Sequence, residues 1–375
     1  MVSYRIANFA WYRVNPTGFF ITWGSQPTLA LALILTSLLA FNGPVQAAAN
    51  TDAYVGRVPA VEADEGGLTA GYQAALIQVL KKLSGSVAQV DTLAQAEQLG
   101  SVSPLVMVHR FVGPELGETQ QRWLEVQFDK TLTNDRVRDL GLPVWPLERP
   151  ETLVWVAVQR EGQRVLLGLA EEDSTTVAGM AVAAREAGIP LVLPLLDLND
   201  QREVRVSDVW GGFAANLAAA STRYGVRQTL LGRSYSDRGG WTTRWLLSGL
   251  EGSRRWESSG QTLRDSLAAG ITTLAATIAE SSVIVADEVS GRVLRVRIRG
   301  LDGADDYGRL ARYLENLSVV ERFEPVSVLG NTLDLNLVSN VGLRGFQQVL
   351  STGQLLRPGA RNSGIADLEL EFQRQ

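Results

Sequence analysis

The chain has 375 residues, of which 45% are hydrophobic and 20% are charged, and its formal net charge at pH 7 is −5. This composition is typical of a packed globular protein of two or three domains and argues against general disorder. The acidic balance predicts that the protein does not bind nucleic acid, because phosphate binding requires a basic surface. Arg295, Arg297 and Arg299 alternate along one predicted strand. We interpret them as a solvated strand face, not a basic patch.

Cysteine is absent from the sequence, and His109 is the single histidine. The first fact excludes disulfides, thiol nucleophiles and cysteine-based zinc sites. The second disfavours a transition-metal site, because such sites usually need several imidazoles. We therefore predict that the protein holds no metal and no cofactor.

The first 49 residues are organised like a secretory signal peptide. Two arginines and no acidic residue precede an apolar run over residues 28–41, and small residues follow it. This order predicts export to the periplasm, with cleavage after Ala47 or Ala49. An uncleaved inner-membrane anchor is the alternative, since residues 18–41 could span a bilayer. No other run is long and apolar enough for a membrane span.

Residues 50–142 are predicted to form an N-terminal α/β module. The apolar spacing over residues 68–83 is typical of an amphipathic helix, and residues 106–112 and 123–128 are typical of strands. Gly141 predicts the end of a further helix. Three prolines follow within residues 143–151, so this stretch is predicted to be a stiff linker between domains.

Two further units are predicted beyond the linker. Residues 152–280 indicate a central α/β domain, in which the apolar residues 191–196 form a strand covered on both faces. Residues 281–356 follow a β-α-β-β-α order that suits a small ferredoxin-like domain. The tail, residues 357–375, is polar and predicted to be loose. The predicted fold class is α/β (α+β), with mixed sheets and packed helices in two or three small modules.

Three acidic residues lie beyond the predicted strand 191–196: Asp197, Asp200 and Asp208. The carboxyl edge of the strands is the usual ligand crevice of an open α/β sheet. Carboxylates at that edge could bind a hard cation or act as an acid and a base. We favour the alternative, in which Asp208 caps the following helix and the other two are solvated in the loop.

Trp210, Gly211, Gly212 and Phe213 form a second candidate, predicted to be a tight turn because adjacent glycines permit unusual backbone angles. The two aromatic rings either pack into the core, which we favour, or form an exposed contact site. The sequence contains no phosphate-binding lysine motif and no Gly-x-Ser-x-Gly elbow, so we predict no catalytic residue. These four residues and the three acids together form the predicted ligand or partner surface.

Several strings resemble those of a bacterial family: LKKLSG (residues 80–85), LPVWPLERPETLVWVAV (142–158), PLLDLND (194–200) and DVWGGF (208–213). They are similar to the domain-of-unknown-function family 2066 of proteobacterial envelope proteins, over residues 54–280. The resemblance implies an envelope location and no catalytic residue. The order of the central elements is also similar to the periplasmic domain of curli-secretion and peptidoglycan-synthase-activating lipoproteins. Those proteins are assembly and interaction factors, but this chain lacks their acylated cysteine.

The sequence therefore predicts an exported periplasmic protein that acts as a non-enzymatic interaction or assembly factor, with an envelope protein as its partner. One alternative is a glycan-active or hydrolytic enzyme that uses the acidic loop between Asp197 and Asp208. Another is a small-ligand binding module near Trp210. An enzyme should show clustered carboxylates with shifted titration, whereas an interaction protein should expose an apolar surface.

Overall fold

The computed structural model describes residues 53–60, 65–115, 120–168, 174–237, 239–249, 252–284, 293–353, 355–359 and 366–374. The predicted signal segment lies outside these ranges. Residues 48–375 group into one compact unit, and the described elements form three sheets with packed helices, which confirms the α/β class. In the described part of the chain, no helix combines the length and the hydrophobicity that crossing a bilayer requires.

The N-terminal sheet is antiparallel, with the order β1-β3-β2. Its strands are β1 (Val55–Pro59), β2 (Val106–Val112) and β3 (Trp123–Phe128). Its helices are α1 (Glu65–Ser84), α2 (Val87–Gln95) and α3 (Lys130–Asp139). Leu76, Val79, Leu80 and Leu83 follow helical spacing along α1 and are buried in the core of this module, as the sequence predicted.

The central sheet has the order β5-β4-β7-β8-β9, and β6 pairs with the start of β4. Its strands are β4 (Thr152–Arg160), β5 (Gln163–Leu166), β6 (Leu191–Val192), β7 (Gln228–Asp237), β8 (Gly240–Gly249) and β9 (Gly252–Gly260). Strand β4 is parallel to β6 and β7, and the other pairs are antiparallel. The sheet is therefore mixed.

Helices cover both faces of the central sheet. They are α4 (Ser174–Ala187) and α8 (Leu263–Ser282) on one face, and the short helices α5 (Leu198–Glu203), α6 (Val206–Gly211) and α7 (Ala218–Arg223) on the other. Alternate residues of β4 point to the two faces, and residues 152–158 are all buried. Val154 and Val156 pack against α4 and α8, whereas Leu153 and Trp155 pack against the short helices.

The strand buried on both faces is thus β4, and the prediction of such a strand over residues 191–196 is wrong. Strand β6 ends at Val192. Pro194 lacks the N–H group that a sheet ladder needs, and Leu196 has a φ of 51°, in the left-handed region. These two residues turn the chain away from the sheet.

The C-terminal sheet has the order β11-β12-β10-β14-β13. Its elements are β10 (Val293–Arg299), α9 (Ala304–Asn316), β11 (Val320–Leu329), β12 (Thr332–Ser339), α10 (Leu343–Thr352), β13 (Leu356–Pro358) and β14 (Leu368–Phe372). The first five follow the β-α-β-β-α order of a ferredoxin-like domain. The last two extend the sheet, with β14 parallel to β10 and antiparallel to β13.

The prediction of a loose tail is wrong for residues 366–374. Leu368, Leu370 and Phe372 are buried in the core of the C-terminal module. They alternate with Glu369 and Glu371, and this period of two places the apolar residues on the core face of a strand.

The residues predicted as a linker pack between the modules in a segment that we call the junction (residues 142–149). Trp145 is 3% exposed. Its backbone N–H donates to Leu83 of α1 at 2.7 Å, and its indole N–H donates to Ser282 of α8 at 2.9 Å. Val144 forms an antiparallel bridge with Ile284. The junction therefore connects the N-terminal module to the helix that ends the central domain.

Candidate functional site

The chain that follows β6 forms a charged cluster that we call the acidic corner: Asp197, Asp200, Arg223 and Tyr224. Asp197 is the N-cap of α5 and accepts the backbone N–H groups of Asn199 and Asp200, both at 3.0 Å. Arg223, the last residue of α7, donates to Asp197 Oδ1 at 2.8 Å and to Asp200 Oδ1 at 2.9 Å. One guanidinium thus holds both carboxylates.

Tyr224 is the fourth residue of the acidic corner and contacts Asp200. Its hydroxyl donates to Asp200 Oδ2 at 2.5 Å and accepts the backbone N–H of Leu195 at 2.9 Å. Asp200 is 1% exposed, and a buried carboxylate is tolerated only when charged or polar partners surround it. Arg223 and Tyr224 supply those partners.

The hydrogen bonds of the acidic corner stabilise the charged forms of Asp197 and Arg223. The hydrogen bond from Arg223, with those from the backbone, holds the pKa of Asp197 well below its usual range, and Asp197 in turn raises the pKa of Arg223. Burial and the hydrogen bond to Asp200 raise the pKa of Tyr224 to about 12. Asp197 therefore stays ionised at neutral pH, whereas a general acid needs a raised pKa.

Asp208 does not belong to this cluster. It lies inside α6, whose N-cap is Arg205, and its Oδ1 accepts the side-chain amide of Asn216 at 2.9 Å. The prediction that Asp208 caps a helix is therefore wrong, and the capping carboxylate of this region is Asp197. Among the described residues, no set of three or more acidic or histidine side chains is arranged to hold a metal ion.

The Trp210–Phe213 stretch ends a helix and is not an isolated turn. Helix α6 closes at Gly211, and Gly212 takes a φ of 72° as the C-cap. Trp210 packs against the core beneath the short helices, with the Arg164 guanidinium 4.2 Å from its ring centroid. Phe213 is 57% exposed. The prediction of core packing is thus confirmed for Trp210 and wrong for Phe213.

Two leucines beside Asp197 are also exposed: Leu195 by 59% and Leu198 by 69%. Leu195 is held by the hydrogen bond from its backbone to Tyr224, and Leu198 is the first residue of α5. The hydrogen bonds of the acidic corner therefore hold the backbone at Leu195 and Leu198, whose side chains are exposed to solvent.

A more continuous apolar surface, which the sequence analysis missed, lies on β11. This strand is at the end of its sheet and pairs with β12. Val326 is 61% exposed, Val328 58% and Leu329 83%. We call residues 326–329 the open stretch. The sequence signal was the apolar run Val-Ser-Val-Leu directly before the Gly330-Asn331 turn, where a hairpin end is usually polar.

The arginines of β10 are paired with acids on β12, on β14 and directly before β14. Arg297 donates to Asp334 at 2.6 and 2.9 Å, and Arg299 lies 3.0 Å from Glu369. Arg295 lies 3.4 Å from Asp367. The predicted strand face is thus a ladder of ion pairs with little uncompensated positive charge.

Residues 47–146 match a family described as a domain of unknown function (DUF8605). The match spans the N-terminal module and stops inside the junction. This family is a different one from family 2066, and the resemblance to the latter stays a prediction. No curated protein and no solved structure matches the chain.

Proposed function

We propose that this protein is exported to the periplasm and acts there as an interaction or assembly factor. Its open stretch pairs with an extended segment of another envelope protein. The observation that carries the proposal is that Val326, Val328 and Leu329 are exposed on β11, which pairs with β12 alone among the described strands. Addition of a strand to such an edge is a common mode of peptide recognition.

The residue pattern of β11 supports this assignment. Natural proteins protect sheet edges with charges, prolines and bulges. The first half of β11 carries Glu321, Arg322, Glu324 and Pro325, and its pairing register shifts between Val320 and Arg322. A second shift, between Pro325 and Ser327, marks the border of the open stretch. The open stretch carries no charged side chain. Only the second half is therefore available for pairing with a partner strand.

The two alternative functions have less support from the geometry. A hydrolase would need a carboxyl group that can exchange a proton, but Arg223 binds both Asp197 and Asp200. A small-ligand site at Trp210 would need a free ring face, but the Arg164 guanidinium lies over one face and the ring packs against the core. Both candidate sites are thus occupied by side chains of the protein itself, whereas the apolar side chains on β11 are exposed.

The experiment compares Val328→Lys with a matched control, Leu132→Lys. Both residues are exposed and apolar, at 58% and 45%, but Leu132 lies on helix α3. A lysine on an edge strand opposes strand pairing. We expect affinity capture from periplasmic extract to retain one envelope protein with the wild type and the control and to lose it with Val328→Lys. Equal capture by all three proteins would refute the assignment of the open stretch.

The family match supports the export part of the proposal because it begins at residue 47, beside the predicted cleavage site. We expect the protein isolated from the periplasm to begin at Ala48 or Asn50. N-terminal sequencing or intact mass measures this directly. A chain that keeps residues 1–47 in the membrane fraction would favour the uncleaved anchor instead.

A further inference from the structure

One face of the central sheet is covered only in part. The short helices pack there over β4 and over Leu231 of β7. Further along the same face, β8 and β9 present Arg244 and Arg255, and both side chains are exposed. Trp245 and Ser258 point to the other face, where they contact α8. The sheet is therefore open to solvent at the two arginines.

Arg233 of β7 belongs to the same face, because it lies directly opposite Arg244 in the pairing of β7 with β8. Like charges directly opposite each other destabilise a sheet. On its other side Arg244 lies opposite Glu257, and its Nε donates to Glu257 Oε2 at 2.7 Å. Arg255 lies opposite Leu246 and forms no ion pair with the residues that the structure describes. We call Arg233, Arg244 and Arg255 the arginine face.

Positive charge exceeds negative charge on the arginine face. Its three arginines meet one acid, Glu257, among the described side chains of β7, β8 and β9 that point this way. Arg233 donates to the neutral carbonyl oxygen of Trp210 at 3.4 Å, and a guanidinium has five N–H donors. The arginines of β10 differ, since each has an acid beside it. The arginine face thus has donors for an external anion.

An exposed aromatic side chain borders the arginine face. Gly212 lies close to Leu246, because a Cβ atom added to Gly212 would be 3.3 Å from Leu246 Cδ2. Phe213 follows Gly212 in the chain and is 57% exposed. Leu246 in turn lies opposite Arg255. The border of the face therefore combines an apolar ring with a cation.

We propose that the arginine face docks on a bilayer that contains anionic phospholipids. Guanidinium groups bind phosphate oxygens through two parallel hydrogen bonds. Side chains on one face of neighbouring strands lie in a single layer, with the strands about 4.8 Å apart. Such a layer complements a plane of lipid phosphates, and Phe213 inserts its ring between the headgroups. This contact is separate from strand pairing at the open stretch.

Co-sedimentation of residues 48–375 with lipid vesicles tests the proposal. One vesicle type contains phosphatidylglycerol and phosphatidylcholine, and the other contains phosphatidylcholine alone. We expect binding to the anionic vesicles only, and we expect added salt to weaken it. Sedimentation with neither vesicle type, or equally with both, would overturn the proposal. Binding of inorganic phosphate or of polyglutamate without binding of vesicles would also overturn it, because the anion would then be free phosphate or an acidic protein segment.

Two neighbouring residues of β9 provide a matched pair of variants. Arg255→Glu reverses a charge on the arginine face and should weaken vesicle binding about tenfold or more. Arg254→Glu is the control, because Arg254 is also exposed but points to the other face of the sheet. Its binding should stay within about twofold of the wild type, since an exposed charge on the far face is screened. Equal losses in the two variants would contradict the proposal.

Circular dichroism checks that each variant folds. If Arg255→Glu does not fold, Arg255→Gln with Arg254→Gln as its control gives the same comparison without a new negative charge. Val328→Lys, which opposes strand pairing at the open stretch, should keep its vesicle binding. The lipid contact and the protein contact can therefore fail independently of each other.

Discussion

The guanidinium carbon of Arg149 lies 3.5 Å from the centroid of the Trp145 ring, and both side chains are buried in the junction. Arg149 also donates to the carbonyl oxygens of Lys82 in α1 and of Gly188 after α4. Burial lowers the pKa of Arg149 to about 9, so the group remains charged at neutral pH. One buried cation therefore joins the N-terminal module to the central domain.

Arg149→Met should lower the free energy of unfolding by about 3 kcal/mol. The methionine keeps apolar contact with Trp145, but the buried carbonyl groups lose their charged donor. Urea denaturation measures the change. Arg202→Met is the control, because Arg202 is exposed on α5, and we expect a change within about 0.5 kcal/mol. Equal effects would show that the junction does not depend on Arg149.

Asp200→Ala should be much more destabilising than Asp208→Ala. Asp200 is buried, and its loss leaves the hydroxyl of Tyr224 without its acceptor and removes one carboxylate from Arg223. We expect a loss of about 3 kcal/mol. Asp208 makes one side-chain hydrogen bond, to Asn216, and its removal should cost about 1 kcal/mol. Similar urea midpoints for the two variants would contradict this description of the acidic corner.

The sequence predicted those strands that show a clear pattern of apolar residues within a few consecutive positions. Strands 106–112 and 123–128 were predicted because their apolar patterns are visible in a short window. The acidic corner was found only in part. Arg223 and Tyr224 follow the acids by more than twenty residues, so no local spacing indicates their contact.

The apolar run of β11 is a signal in the sequence, but that run alone does not predict that its side chains are exposed. Whether Val326 and Val328 are buried depends on which strand lies at the end of the sheet, and the sheet order is set by pairings distant in the sequence. The position of strand β14 was also not predicted, because it lies between β10 and β13 and its pairing with β10 is distant in the sequence.

The stability of the protein should fall in acid partly through Asp197. Its folded pKa lies below the value of about 3.9 for an unfolded aspartate, so its contribution is present above about pH 4 and is lost as the pH falls through the folded pKa. Asp197→Asn keeps a capping side chain but removes the charge. The difference in urea midpoint between wild type and variant should therefore shrink from about pH 6 to about pH 2.5. A constant difference would exclude this role.

Gly212→Ala should cost about 1 kcal/mol, because a φ of 72° disfavours any residue with a Cβ atom. Gly211→Ala is the matched comparison. Its Cβ would meet the ring of Phe213, but that ring is exposed and can move away. We expect a change within about 0.5 kcal/mol for this variant. Thermal unfolding of both proteins checks the order, and a larger loss for Gly211→Ala would contradict it.

Site-specific photo-crosslinking in living cells tests the interaction proposal most directly. A photoreactive amino acid replaces Leu329, which is 83% exposed in the open stretch, or Leu132, which is 45% exposed on α3. We predict a covalent adduct with one envelope protein from position 329 and none from position 132, and Val328→Lys should abolish that adduct. The absence of an adduct at position 329, an adduct with a second copy of this chain, or the same adducts from both positions would contradict the proposal.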